Sequence, residues 1–357
     1  MPKETELLVV DQDLLVSGSC AGGVVGDNDP AVERAAQILR RGGLVAFPTE
    51  TVYGLGAVAS LPQAVRAVFT AKGRPATDPL IVHGTLIEQL DAVVDGWGTA
   101  ALALAERFWP GPLTLVVPRG DAAAAEVGAG GPTVGVRVPA HPVALELLRA
   151  TGAPVAAPSA NRFGRISPTS AEHVVEELGG LIDAVLDGGP TTLGIESTVI
   201  DLCGDVPRVL RPGGVTIEDL TEVLGRVDYT DRSSVSEAHS AASSPGQFIR
   251  HYAPTTPLVL VEGPEQWCRR LVADLEHLEV KACAVELPED DSVAARELYG
   301  ALRSADGGGC ALLLVAARRP AGLGRALNDR LFRAAHGRLV ADISAATVQR
   351  LVALASR

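Results

Sequence analysis

Lys72-Gly73-Arg74 sets two cations two residues apart, around a glycine, in a loop that Pro75 and Pro79 stiffen. A guanidinium forks onto phosphate oxygens and an ammonium acts as a point charge, so such a loop can face one polyanion. The same spacing also describes a solvated helix end. Ser159 and Asn161, in Ala156-Ala157-Pro158-Ser159-Ala160-Asn161, lie among small residues that let a backbone come close to a ligand, and Ser167 follows before Pro168. Their side chains offer neutral hydrogen bonds, or build an Asx or Ser turn. In Phe47-Pro48-Thr49-Glu50-Thr51-Val52-Tyr53-Gly54-Leu55-Gly56, a strand ends in proline, three polar side chains follow, and two glycines read as closing a turn. That arrangement holds a small polar ligand or simply connects two elements. Finally, Gly194-Ile195-Glu196-Ser197-Thr198 leads to Arg211-Pro212-Gly213. An arginine at a strand end before a Pro-Gly turn can reach over a pocket mouth, or pair with a surface carboxylate.

Several chemistries have no support. The chain lacks a GxxxxGK[ST] loop, an HExxH, a GxSxG and a cysteine–histidine pair with a nucleophile's context. Gly322-Leu323-Gly324 lacks the third glycine of a dinucleotide fingerprint. Five cysteines, Cys20, Cys203, Cys268, Cys283 and Cys310, are scattered without a CxxC pair, which indicates neither a zinc ribbon nor a disulfide framework. The net charge of −12, with no Lys/Arg-rich run, argues against stable general nucleic-acid binding but leaves room for a local basic pocket. The first residues, MPKETELLVVDQD, carry no secretory pattern, and no run nears the ~18 apolar residues of a membrane span. The expectation is a cytoplasmic protein with no membrane contact.

These clusters need elements to position them. At 357 residues, 47% hydrophobic and 21% charged, the chain can bury a full core, and its length points to about two domains. Short apolar runs bounded by Gly or Pro read as strands at 43–47, 79–83, 113–117, 134–138 and 198–202. Helical periodicity falls at 30–41, 63–71, 99–108, 142–151 and 170–178, the last opened by Ser170 after Pro168. Residues 231–246, DRSSVSEAHSAASSPG, have no apolar period and read as a linker. Beyond it the pattern restarts as a small βαβαβα unit: strands at 257–261, 280–287 and 310–316, helices at 264–278, 291–301, 323–335 and 344–355. A parallel sheet is expected there.

The segments FPTETVYGLGA, KGRPATDPLIVH, FWPGPLTLVV, VRVPAHP, APSAN and GIESTVIDL occur in this order. Together they resemble the YrdC-like threonylcarbamoyl-adenylate synthase family, whose KxR and SxN signature is met here by Lys72, Arg74, Ser159 and Asn161. The stretch SPGQFIRHYAPTTPL (244–258) and the α/β unit after it resemble the family's two-domain long form. The resemblance implies an α/β fold: a twisted mixed-sheet catalytic domain with a large concave cavity at 25–225, a linker and possible lid at 226–256, and a Rossmann-like domain at 257–357. It implies the joining of L-threonine, bicarbonate or CO2, and ATP into threonylcarbamoyl-AMP with release of pyrophosphate. A downstream tRNA threonylcarbamoyl-transfer complex would then modify A37 of ANN-decoding tRNAs. Lys72 and Arg74 would be catalytic, and with Ala76, Ser159, Asn161, Ser167, Arg211, His251 and Tyr252 would bind ATP. Thr49, His83, Arg137 and Ser197 would surround threonine, with Arg137 on its carboxylate. Glu50 would orient neighbours or a metal, and Mg2+ would arrive on the ATP phosphates. His251 and Tyr252, just past the linker, would cap the nucleotide.

The residues fit that chemistry, since neither step requires a protein nucleophile; catalysis would rest on in-line positioning and charge neutralisation. Two other readings stand beside it: an RNA-binding module of the same fold, and an enzyme that adenylates carbamate for another acceptor.

Overall fold

The computed structural model describes residues 4–11, 29–230 and 251–356. They divide into two compact units: 4–11, 29–163 and 167–230 in the first, 164–166 and 251–356 in the second. The linker read at 231–246, and most of the lid segment, lie outside the described residues.

In chain order the first unit contains β1 (Glu6–Val9), α1 (Pro30–Arg40), β2 (Val45–Phe47), β3 (Gly54–Val58), α2 (Pro62–Lys72), β4 (Ile81–His83) and α3 (Ile87–Leu90). Then come α4 (Thr99–Phe108), β5 (Leu113–Pro118), β6 (Thr133–Arg137), α5 (Pro142–Thr151), β7 (Val155–Ala156), α6 (Ala171–Leu178), β8 (Ala184–Asp187), β9 (Thr198–Asp201), β10 (Arg208–Arg211), α7 (Ile217–Leu224) and β11 (Asp228–Tyr229). The helices start and stop where local chemistry dictates. Asp29 caps α1, accepting from the amides of Ala31 and Val32; Ser170 caps α6; Thr216 and Asp219 form a capping box on α7. Both α2 and α5 begin with proline and end on a left-handed glycine, Gly73 and Gly152.

The strands form one mixed sheet in the order β1-β8-β2-β3-β7-β4-β6-β5-β9-β10-β11. Successive strand residues alternate between two cores. Val45, Phe47, Ala184 and Leu186 pack with α1 and α5 on one face, while Ala46, Val185, Val82 and Leu115 join residues of α2, α4 and α6 on the other. Both faces are covered, which is why these strands read as continuous apolar runs rather than alternating ones.

The turn expected at Gly54 and Gly56 is instead the start of β3. A Cβ on Gly56 would sit 2.9 Å from both Phe47 and Val155 side chains, and one on Gly54 would meet Ala157 at 3.3 Å. These glycines let three strands close together; they do not bend the chain. The bend falls earlier, at residues 50–52.

The second unit contains β12 (Leu258–Val261), α8 (Glu265–Glu276), β13 (Ala282–Val285), α9 (Asp291–Asp306), β14 (Leu312–Ala316), α10 (Leu323–Ala334), β15 (Leu339–Val340) and α11 (Ala345–Ala355). Its strands are all parallel, in the order β13-β14-β12-β15. The parallel sheet is as the pattern requires; the short fourth strand, only two residues long, gave no sequence signal. The cysteine reading needs correction: Cys283 and Cys310 form a disulfide, with Cα atoms 6.0 Å apart. They stand 27 residues apart in sequence and meet only because β13 and β14 are neighbours, which spacing alone does not reveal.

Two glycines give a contrasting prediction. A Cβ on Gly213 would fall 2.4 Å from the backbone of residues 196–198, so Gly213→Ala should destabilise the first unit by about 1–3 kcal/mol. Gly300, exposed within α9, has nothing within 4 Å of its would-be Cβ, so Gly300→Ala should stabilise the second unit by about 0.5–1 kcal/mol. Urea unfolding of the full chain, followed by a probe in each unit, reads both.

Candidate active site

The polar clusters come from opposite strand ends, because β4 and β6 run against β2, and side-chain contacts such as those of Arg137 with Glu50 and Thr51 bring them together. Residues 49–51 leave the carboxyl end of β2 and enter the amino end of antiparallel β3. His83 and Arg137 end the parallel strands β4 and β6 and stand in register. Ser197 precedes β9, Arg211 ends antiparallel β10, and Ser159 bridges Gly54 beyond β7. Loops 72–79, 111, 167 and 189–197 fill the gaps.

Arg137 is the hub on one side. Its Nε donates to the Gly111 carbonyl at 3.1 Å, one terminal nitrogen donates to the Thr51 hydroxyl at 3.0 Å, and the other lies 2.7 Å from the Glu50 carboxylate. Both members of that ion pair are buried, and Glu50 orients the arginine. Thr49 builds the turn: its Oγ accepts from the amides of Thr51 and Val52, each at 3.2 Å, and donates to the Val52 carbonyl at 2.6 Å. His83 packs edge-on against Phe47 with ring centroids 6.3 Å apart, and its Nδ1, buried, has no hydrogen-bond partner. Burial first, and the Arg137 charge second, push its pKa down to about 3. His141 is pushed down to about 4, again by burial, against the opposing pull of Glu50. Two neutral imidazoles therefore line this side at neutral pH.

On the other side, the Arg211 guanidinium grips the Ser197 carbonyl through Nε at 3.1 Å and a terminal nitrogen at 3.0 Å, and that nitrogen also reaches the Ser197 hydroxyl at 3.1 Å. Thr114, the second residue of β5, meets the same hydroxyl at 2.8 Å. Ser167 donates to Glu196 at 2.6 Å.

The cation loop is not solvated. Lys72 and Arg74 are 1% and 6% exposed, which sets aside the reading of a surface helix end. The Lys72 ammonium donates to the carbonyls of Ser159 and Asn161, so the KxR and SxN segments are joined directly. Burial, with Arg74 as the next contributor, pulls the Lys72 pKa well below its usual range. Arg74 donates to the carbonyls of Asp78 and Pro79 at 3.1 and 2.8 Å and pairs with the fully buried Asp78 carboxylate at 2.8 Å. Burial outweighs Arg74 at that carboxyl and raises its pKa. Ala76 is exposed on the same loop, and the Asn161 amide donates to the Arg162 carbonyl at 2.7 Å.

His251 and Tyr252 fall in the second unit, both buried, with rings 4.1 Å apart. Tyr252, at φ +63°, stacks at 5.7 Å on Tyr299 and carries the Arg330 guanidinium 5.4 Å from its ring centre. Motif reading missed the supporting partners Asp78, Thr114 and Glu196. Of these only Thr114 left a signal, a hydroxyl inside the apolar run LTLVV. Among the described residues no free cysteine competes as a nucleophile: burial pushes the thiols of Cys203 and Cys268 up to about 11. Among the described residues no group of three or more His, Cys, Asp or Glu is arranged to hold a metal, and no helix is long and apolar enough to cross a membrane.

By fold and by sequence the chain is of the Sua5/YciO/YrdC class, a two-unit α/β protein of the long form. The family model described as telomere recombination matches residues 37–213, and that described as threonylcarbamoyl-AMP synthase, C-terminal domain, matches 215–336. A Bacillus subtilis protein named threonylcarbamoyl-AMP synthase is 42% identical, over 88% of this chain and 95% of its own length. A Pyrococcus abyssi protein of the same name is 42% identical, over 86% and 94%. The crystal structure of P. abyssi Sua5 complexed with L-threonine superposes with a TM-score of 0.83 at 41% identity, covering 87% of this chain and 96% of that one. A histidine/tyrosine-to-alanine double variant of P. abyssi Sua5 gives 0.85 at 37% identity, covering 95% and 98%. The chain belongs to the threonylcarbamoyl-AMP synthase family.

The neutral histidines set a pH dependence. Below about pH 6.5 the unfolded chain protonates both imidazoles while the folded chain resists until about pH 4 and 3. The unfolded state then binds more protons, so stability falls with pH through that window. His83→Gln should lose about 2 kcal/mol less than the parent between pH 7 and pH 5. Urea midpoints of the first unit at the two pH values read the difference.

Proposed function

We propose that this protein synthesises L-threonylcarbamoyl-AMP from L-threonine, bicarbonate or CO2, and ATP, releasing pyrophosphate. The observation that carries the reading is the union of the KxR and SxN segments through buried Lys72, beside an arginine hub suited to an amino-acid carboxylate. On this reading Lys72 and Arg74 are catalytic, and with Ala76, Ser159, Asn161, Ser167, Arg211, His251 and Tyr252 form the ATP site. Thr49, His83, Arg137 and Ser197 surround threonine. The proposed division of the chain is a catalytic domain at 25–225, a linker and lid at 226–256, and a C-terminal domain at 257–357.

The chemistry needs no covalent enzyme intermediate. The threonine amine forms a bond to the carbon of CO2 and gives up a proton, leaving a carbamate. A carbamate oxygen then bonds to the α-phosphorus, the bond to the bridging oxygen breaks, and pyrophosphate leaves with that electron pair. What the protein supplies is alignment and preset electrostatics. Arg137, held in one orientation by Gly111, Thr51 and Glu50, presents its fork to the threonine carboxylate. A neutral His83 beside it adds no repulsion toward the substrate amine. Arg74, locked by Asp78, and Lys72 face the charge that builds on the leaving phosphates, and the arrival of a polyanion favours the charged form of Lys72. Mg2+ would enter bound to the triphosphate and help neutralise its charge. The product would pass to a tRNA threonylcarbamoyl-transfer complex acting at A37, in the cytoplasm.

The test is pyrophosphate release from ATP and Mg2+ with L-threonine and bicarbonate omitted in turn. Release requiring both supports the reading; release indifferent to threonine overturns it in favour of another acceptor, and none from folded protein overturns it altogether. Lys72→Ala and Arg74→Ala should each cost about 10²–10³ in kcat. Arg137→Lys keeps the charge but loses the fork, and should raise the KM for threonine by about 10-fold or more with a smaller change in kcat.

A further inference from the structure

The second unit carries a crevice of about 340 Å3 of its own. Its position follows from the sheet. The helix after β12, α8, packs with α11 on one face; α9 and α10, which follow β13 and β14, pack with one another on the opposite face, because right-handed crossovers in opposite directions demand it. Since β12 and β14 are neighbours, the loops leaving their carboxyl ends diverge, and a crevice opens between them. Ligands of open parallel sheets bind at this kind of switch point. Here the floor is Val285, Val315 and Ala316.

The rim carries both signs of charge, and part of it is already spent. Arg318 donates to Asp291 at 2.9 Å and to the Glu289 carbonyl, while its own amide donates to the Asn328 side chain at 2.7 Å. This fixes the walls. Gly324 completes the support: a Cβ there would lie 2.1 Å from the Arg319 carbonyl, so the Gly322-Leu323-Gly324 pair serves close packing of α10 on this loop. Two rim groups have no partner among the described residues, the Arg319 guanidinium and the Glu289 carboxylate, both exposed and lining the crevice.

Phosphate is a poor candidate for this space. The turn after β12 has one glycine, Gly263, and Trp267 fills its approach: a Cβ on Gly263 would meet that ring at 2.1 Å. Glu265 opens α8 with a negative charge, which opposes an anion at that helix end. A simple anion would face Glu265, Glu289 and Asp291; a simple cation would face two arginines. One small ligand bearing both charges satisfies the rim, and the volume lies at the low end for a metabolite pocket. We infer that the crevice at the carboxyl ends of β12, β13 and β14 binds a free α-amino acid, its carboxylate on Arg319 and its ammonium on Glu289. None of its lining residues belongs to the proposed synthase site, and the inference stands whether or not that proposal holds.

The experiment uses the full chain labelled with 5-fluorotryptophan. The protein has three tryptophans; Trp267 lies over the crevice turn, and Trp267→Phe assigns its 19F resonance. Glycine, L-threonine, L-leucine, L-glutamate and L-arginine are titrated separately, with acetate, ethylamine and AMP as controls. The expected result is a saturable shift of the Trp267 resonance with at least one amino acid, below about 10 mM. The apparent Kd should rise 10-fold or more in Arg319→Ala and in Glu289→Gln, while pyrophosphate release by both variants stays at the parent level. Three results overturn the inference: no shift at Trp267 with any amino acid, a shift that both variants leave intact, or a shift produced by AMP and not by amino acids. A response confined to Trp97 and Trp109, in the first unit, counts as the first of these.

Discussion

A buried ammonium must find oxygen, and Lys72 finds it in the main chain. Its two carbonyl partners, on Ser159 and Asn161, lie 87 and 89 residues further along the sequence. Removing such a group from water without partners costs several kcal/mol, so the fold places them together or does not form. That one contact sets the end of α2 against the loop beyond β7. The remaining loops then stack from there: Ala160 donates to the Tyr53 carbonyl, Leu55 to that of Pro158, Tyr53 to that of Pro168, and Leu193 to that of Glu50. Conserving hydrogen bonds among irregular segments is demanding, because every unpaired amide in a buried loop carries a penalty. Here the loops satisfy one another.

The same economy explains why four of the candidate side chains have a carbonyl or carboxylate behind them. Arg74 leans on Asp78, Arg137 on Glu50 and Gly111, Arg211 on Ser197, Ser167 on Glu196. A guanidinium has five N–H donors in a plane; pinning some of them to the protein orients the rest. Position is thus set before substrate arrives, which is the condition for electrostatic catalysis without reorganisation.

What the sequence revealed, and what it hid, follows from the range of the interactions. Helices announced by proline and glycine punctuation were legible within a residue or two, because caps are local. The apolar strands 45–47, 81–83 and 113–118 were legible for their β-branched runs. The glycines of β3 were misread because their reason is a neighbour 99 residues away, Val155, rather than a turn. The Cys283–Cys310 bridge was hidden because it depends on β13 and β14 being neighbours, and Glu196 because its partner Ser167 lies 29 residues away; Asp78 is close to Arg74 in sequence, but its role depends on burial. Burial of Lys72 and Arg74 was the largest surprise: two cations at a helix end look solvated until the partner loop is in place. The C-terminal unit read well in outline because a parallel αβ repeat is built from local periods; its crevice did not, because it depends on strand order.

The charge balance of the site points to how a nucleotide is accommodated. Of the cations, Arg74 and Arg137 are each neutralised by a buried carboxylate, and Lys72 has its pKa pulled down by burial and by Arg74. Arg211 holds the carbonyl and the hydroxyl of Ser197. A site so nearly balanced holds together when empty, since unpaired buried charges would repel and destabilise it. It is correspondingly short of positive charge for a triphosphate. On the proposed reaction the deficit is met by what the nucleotide brings, a divalent ion on the phosphates, while the polyanion also favours the charged form of Lys72. The ion is tied to the phosphates, so it is withdrawn when pyrophosphate leaves. On the same proposal the adenylate would remain in a site close to neutral, where only its single phosphate and the threonyl carboxylate call for cations, roles that Arg211 and Arg137 would fill.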